Sequence, residues 1–243
     1  MSQSGHDQLV LITGESGSGK SASLMNLPDH ERVMYLNCEA GKRLPFKNRF
    51  KNFTITDPVQ VYEAFDHARN NADYDVIVID TLSFLMDMYE AQYVLTSPNT
   101  QQAWGGYAQF FKTLMLDKVA ASDKSVIILA HTRVEHDEKT LSYRSQANIK
   151  GSIGKGNGAE SYFSTVVATR KIALKDLEPY GSDLLTITKQ DALLGFKHVF
   201  QTQLTKETIG ERIRAPMGLF THEQTYMDND AGLLLRHLQD YYA

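Results

Sequence analysis

The segment Gly14-Glu15-Ser16-Gly17-Ser18-Gly19-Lys20-Ser21 constrains this chain more than any other, because it fits the pattern G-x-x-x-x-G-K-[ST] in full. Its glycines permit a turn whose backbone N–H groups face inward, and such a nest, with the start of the following helix, surrounds a β-phosphate. Lys20 then reaches the β- and γ-phosphates, and Ser21 ligates Mg²⁺. The pattern requires a strand before it and a helix after it. Leu9-Val10-Leu11-Ile12 supplies the strand, and Lys20-Ser21-Ala22-Ser23-Leu24-Met25 opens a helix that Pro28 closes. The expected nucleotide contacts are Gly14, Glu15, Ser16, Gly17, Ser18, Gly19, Lys20, Ser21 and Ala22.

Further apolar runs repeat the strand and helix rhythm. Val33 to Leu36 and Val76 to Asp80 read as strands, separated by a helix over 58–72 with Val61, Tyr62, Phe65 and Ala68 at helical spacing. Phe110, Phe111, Leu114 and Met115 predict a helix from about Trp104 to Ala121, ahead of a strand over Val126 to Ala130. Fully apolar strands alternating with helices indicate an α/β fold, with a mainly parallel central sheet flanked by helices on both faces.

Residues 132–158 read as a long, polar, irregular segment ending in Gly151, Gly154, Gly156 and Gly158. The β-rich stretches Ser164 to Ile172, Leu184 to Thr188 and Lys197 to Leu204 are expected as antiparallel strands added towards the C-terminus. Asp230 to Tyr242 reads as a closing amphipathic helix. One domain is expected over 1–243, with the nucleotide-binding core at about 8–172 and a β-rich extension over about 173–243.

Three polar residues are expected at the carboxyl ends of core strands, the edge where open α/β sheets collect ligands. Asp80 ends its strand where a carboxylate holds the water shell of a phosphate-bound magnesium, or else caps the next helix. Thr81 follows it, so the residue that aligns water must come from elsewhere. Glu39 reads as that residue or as a solvated turn glutamate. His131 reads as a sensor of the γ-phosphate or as a structural histidine.

Bulk properties narrow the partners. A formal charge of -4 gives no global attraction to nucleic acid, so any such site is local. Residues 139–158 hold Lys139, Arg144, Lys150 and Lys155 without an acidic residue, which suits a phosphate backbone, a nucleotide lid or plain solvated surface. Residues 88–107 carry Tyr89, Tyr93, Trp104 and Tyr107, either to stack on unpaired bases or to pack in a helical core. Lys42, Arg43, Lys47, Arg49 and Lys51 form a second basic cluster. The single cysteine, Cys38, forms no internal disulfide, the eight histidines are scattered, and no signal peptide or long apolar run is present. A reducing cytoplasm without a membrane is the expected setting.

The order of Gly14 to Ser21, Glu39, Asp80 and His131 at successive strand ends resembles the RecA-like ATPase family. In that family a catalytic glutamate follows the second core strand, the magnesium aspartate ends the third, and a polar sensor, typically glutamine, ends the fourth. The resemblance implies an ATPase using ATP and Mg²⁺, with Lys20, Glu39 and His131 catalytic and with Ser21 and, through water, Asp80 at the metal. Residues 150–159 look like the end of the family's second DNA-binding loop, which implies DNA contacts at Arg144, Lys150, Lys155 and Trp104.

The chain is most similar to phage-encoded RecA-like proteins of single-strand annealing and recombination. That implies binding of single-stranded DNA in the cytoplasm of a bacterial host, assembly as a ring or filament, and a single-strand-binding protein as a possible partner. Lys155, Arg170 or Lys171 would reach a neighbour's nucleotide. The residues alone leave open a small-molecule kinase, a nucleotide-switched assembly or loading protein, and a helicase-type motor.

Overall fold

The computed structural model describes residues 8–137 and 142–243. Among them the strands are β1 (Leu9–Gly14), β2 (Val33–Asn37), β3 (Lys51–Thr54), β4 (Val76–Asp80), β5 (Ser125–Asp137), β6 (Ser142–Ala147), β7 (Thr165–Ala173), β8 (Phe196–Gln201) and β9 (Tyr226–Asp228). They form one sheet in the order β3-β2-β4-β5-β1-β7-β8-β9, with β6 paired to β5. From β3 to β7 every neighbour on this path is parallel, whereas β8 and β9 continue it antiparallel. The fold is α/β with a mainly parallel central sheet, as the apolar runs predict.

Alternation along the strands explains why both faces are covered. Leu9, Leu11, Met34, Leu36, Ile77, Ile79, Val126 and Ile128 point into one core, and the residues between them, such as Val10, Ile12, Val33, Val76, Val78 and Ile127, point into the other. The first core is closed by α1 (Gln60–Ala68), α2 (Leu82–Tyr89) and α3 (Thr100–Thr113). Short helices α4 (Gly151–Lys155), α5 (Leu174–Leu177) and α6 (Lys189–Leu194) follow, and α7 (Ala231–Tyr242) closes the second core with Leu234, Leu235 and Leu238. Each fully buried aliphatic side chain contributes about 1.5–3 kcal/mol. Polar caps set the helix starts: Asn99 accepts from Gln102 N, Asp230 accepts from Leu233 N, and Thr188 with Asp191 makes a capping box.

Several expectations are corrected. The helix after the glycine-rich loop is a 3-10 helix of six residues, Ser21–Asn26. Pro28 bars helical geometry at Leu27, and Ser23 Oγ turns back to Lys20 O at 2.6 Å. Within 132–158 much of the described chain is regular: β5 runs on to Asp137 and pairs antiparallel with β6 from Thr132↔Ala147 to Asp137↔Ser142, and α4 follows, while residues 138–141 lie outside the described residues. This hairpin leaves Val134 and Tyr143 exposed, so no one-sided apolar alternation marks it. β7 pairs parallel with β1 rather than antiparallel. Leu184 to Thr188 is a loop that takes Asp228 N on the Leu184 carbonyl. The helix at 104–121 begins earlier, at Thr100, and β3 and β9 carried no apolar signal of their own.

Candidate functional site

Strand register brings the polar residues together. Gly14 lies opposite His131 across β1 and β5, and Asn37 lies opposite Asp80 across β2 and β4. Four parallel strands therefore deliver the glycine-rich loop, Glu39, Asp80 and His131 to one edge of the sheet.

The loop after β1 turns through positive φ at Gly17 (74°) and Gly19 (111°), conformations that side chains disfavour. Lys20 is only 5% exposed. Its Nζ donates to the carbonyls of Gly14 at 3.0 Å and Glu15 at 2.8 Å, and lies 3.3 Å from His131 Nδ1. Burial pulls the ammonium down to about 8, against the charges of Asp80 and Glu39 that favour it. A buried cation bound chiefly to carbonyls is poised to exchange them for phosphate oxygens.

Asp80 is 2% exposed, and its Oδ2 accepts from Ser21 Oγ at 2.9 Å and Tyr35 OH at 2.7 Å. Burial raises this carboxyl, and the two hydroxyl donors oppose the rise. Oδ1 is buried without a partner. A carboxylate with the Ser21 hydroxyl on one oxygen and no partner on the other fits a hydrated divalent cation, which takes one or two protein ligands when nucleotide supplies the rest. Thr81 is the cap of α2, accepting from Phe84 N, so Asp80 is not spent on capping.

Glu39 is aimed by Asn37, whose side chain accepts Glu39 N at 3.0 Å and donates to Lys42 O at 2.9 Å, closing a turn with positive φ at Ala40 and Gly41. The Glu39 side chain is 10% exposed; Oε2 receives Lys42 Nζ at 2.8 Å and Oε1 lies 3.4 Å from His131 Nε2. Burial disfavours its charge, but Lys42 and His131 outweigh that and hold the carboxyl below its usual range. His131 donates its backbone N–H to Ser83 Oγ at 3.0 Å. Burial, then the charge of Lys20, depress its imidazole below 6.5 despite Glu39, leaving it neutral at pH 7. Lys42, Glu39, His131 and Lys20 thus form one polar chain from the cleft mouth to the loop.

A cleft of about 740 Å³ runs from Lys20, Ser21 and Glu39 past Met25 and Asn26 to Asp191, His198, Asp228 and Asn229. Two of these C-terminal residues touch the loop: His198 Nδ1 lies 2.7 Å from Ser18 O, and Asn229 Nδ2 donates to Gly19 O at 2.9 Å. Neither carried a signal in the sequence, since each sits among unremarkable polar neighbours far along the chain. Tyr35, Asn37 and Lys42 were likewise not singled out for this site.

The residues expected to meet DNA lie outside this cleft. Lys150 is tied to Glu90 and Asp87, and its N–H donates to Tyr107 Oη at 3.2 Å. Trp104 is half-buried and packs against Gly151. Tyr107 is fully buried and Tyr89 packs against it and against Phe110 in the first core, whereas Tyr93 is exposed and donates to Asp57 Oδ2 at 2.9 Å. Lys155 on α4 and Arg144 on β6 are exposed. Arg170 is half-buried against Glu211, while Lys171 is exposed on β7. Lys139 lies outside the described residues. In the other basic cluster, Arg49 pairs with Glu31 and Lys51 with Asp73. No helix among the described residues is long and apolar enough to cross a membrane.

Comparison with known proteins matches residues 6–168 to the family described as AAA domain. The match covers more than half of the 243 residues and takes in the glycine-rich loop, Glu39, Asp80 and His131. It stops before Arg170 and leaves out β8, β9 and α7. No curated protein matches the chain.

Proposed function

Since this chain belongs to the AAA domain family, a family of P-loop ATPases, we propose that it hydrolyses ATP and couples the hydrolysis to single-stranded DNA in annealing or recombination. The observation that carries the ATPase is the convergence of Lys20, the Ser21–Asp80 pair with its orphaned Oδ1, and Glu39 at one strand edge. The long cleft leaves room for a nucleoside beyond the loop, along Met25 and Asn26.

In this reading the loop N–H groups hold the β-phosphate and Lys20 moves from the Gly14 and Glu15 carbonyls to the phosphate oxygens. Ser21 and Asp80 would hold Mg²⁺, which supplies positive charge to the phosphates when bound. Glu39 orients a water and takes its proton as the oxygen bonds the γ-phosphorus and the bond to the β-phosphate oxygen breaks. ADP and inorganic phosphate leave. His131 touches Lys20 at one ring nitrogen and Glu39 at the other, so it senses the occupancy of the loop.

The DNA part rests on continuity within β5, which carries His131 where its core half ends and then pairs with β6, on which Arg144 is exposed, with Lys155 exposed on α4 further along. Assembly as a ring or filament, with Lys171 or Lys155 reaching a neighbour's nucleotide, belongs to the same proposal.

The test is phosphate release from ATP with Mg²⁺ across a titration of single-stranded DNA at low salt, where phosphate contacts are strongest. The expected result is a rate that rises with DNA and vanishes in Lys20→Ala. A flat DNA titration removes the coupling and leaves an ATPase; a phosphorylated metabolite in place of free phosphate replaces both with a kinase.

A further inference from the structure

We infer that the C-terminal extension sets the shape of the phosphate-binding loop, with His198 and Asn229 acting as positioning residues for the nucleotide's β-phosphate. This rests on the nucleotide-binding reading above and extends it to residues outside the family match, which ends at 168.

The geometry follows from the peptide bond. In a trans peptide the C=O and the following N–H point in opposite directions. Ser18 O faces His198 Nδ1 at 2.7 Å, so the N–H of Gly19 points the other way. Gly19 O accepts Asn229 Nδ2 at 2.9 Å as well as Ser23 N at 3.0 Å, so the N–H of Lys20 is also turned from the brace. These are two of the N–H groups that a phosphate nest needs. A carbonyl only accepts, so His198 carries its proton on Nδ1.

The approach is close enough to require glycine. A Cβ on Gly19 would lie 2.8 Å from Asn229 Nδ2 and 3.1 Å from His198 Nδ1, at a φ of 111° that already disfavours a side chain. The two braces come from different places: His198 from β8, opposite Lys171 of β7, and Asn229 from the link between β9 and α7. Asp230, the next residue, accepts Asn26 Nδ2 at 2.8 Å and so ties α7 to the 3-10 helix that follows the loop. The loop is therefore clamped by a segment that the glycine-rich motif does not include.

Such bracing lowers the ordering cost of phosphate binding and adds no direct contact with the reacting atoms. Its signature is weaker binding of di- and triphosphates with turnover at saturation preserved. The experiment measures KM and kcat for ATP, calorimetric Kd for ADP with Mg²⁺, and Tm of the nucleotide-free protein, for the wild type and for His198→Leu, His198→Asn and Asn229→Leu. His198→Leu and Asn229→Leu are expected to raise KM and the ADP Kd about tenfold, the size of one lost hydrogen bond, with kcat held within about threefold. His198→Asn keeps a donor at the Nδ1 position and is expected to recover most of the affinity. Leucine variants with unchanged KM overturn the inference, as does an Asn variant that loses as much affinity as the Leu variant. A wild type that binds no ATP overturns the nucleotide reading itself, so the two failures are told apart.

Discussion

Lys20 and Glu39 divide the proposed chemistry between them, and single substitutions separate their parts. Lys20→Ala removes a buried cation at the loop, and a loss of at least about 100-fold in kcat/KM is expected from steady-state phosphate release. Glu39→Gln keeps the shape but cannot take a proton, so turnover should fall by about 100-fold while ADP affinity stays near wild type. Equal losses in binding and turnover would instead make Glu39 part of the ground-state site.

His131 gives the chain a pH response whose sign is fixed by its environment. Its folded-state imidazole titrates below 6.5, so between the folded and unfolded values the unfolded chain binds more protons. Stability is then complete above about pH 6.5 and is lost as pH falls through the folded value. Glu39, held below its usual range, adds a loss of the same sign in a lower window, below about 4.5. Urea midpoints from pH 7.5 to 5 should therefore fall in the wild type and flatten in His131→Gln. A wild-type slope retained by the variant would refute this assignment.

At the scale of elements, the segment from β5 to α4 is where sequence pattern and structure part most. β1, β2, β4 and the first half of β5 were legible because a strand buried on both faces must be apolar throughout. The outer half of β5 and β6 carry Arg133, Glu135, His136 and Arg144 among their residues, so their pairing had no composition to announce it. What holds the following turn is close packing: a Cβ on Gly154 would run into the backbone carbonyl of Ile149, which cannot swing aside. Gly154→Ala should destabilise by about 1–3 kcal/mol, seen as a lower urea midpoint at unchanged m-value. The buried Glu160 carboxylate, accepting Ala147 N at 2.6 Å and facing Arg212, fastens the same region to the C-terminal extension.

At the scale of the whole molecule, the extension is structural as well as local to the site. Phe200, Met227, Leu234 and Leu238 share one core with Val10, Ile12 and Leu24 of β1 and the 3-10 helix. A chain ended after Ala173 would bare that face of the central sheet and leave β7 as an open edge. Such a truncation is expected to lack a cooperative thermal transition by circular dichroism, whereas the full chain should show one that ATP with Mg²⁺ shifts upward, by about 2.7 kcal/mol at 100 times Kd.

The phosphate-binding loop, the parallel strands and the positions of Glu39, Asp80 and His131 at strand ends are legible in the residues alone, because each rests on a local pattern of glycine, apolar residues or strand termini. The folded chain alone shows that Asp80 keeps one oxygen unpartnered while Ser21 bonds the other, that Lys42 and His131 hold Glu39, and that His198 and Asn229 reach back across the chain to the loop. The physical reason is range. A loop and a strand are written in neighbouring residues, but a hydrogen bond between Ser18 and His198 depends on how β8 is registered beside β7, and that register is settled by the packing of the whole sheet.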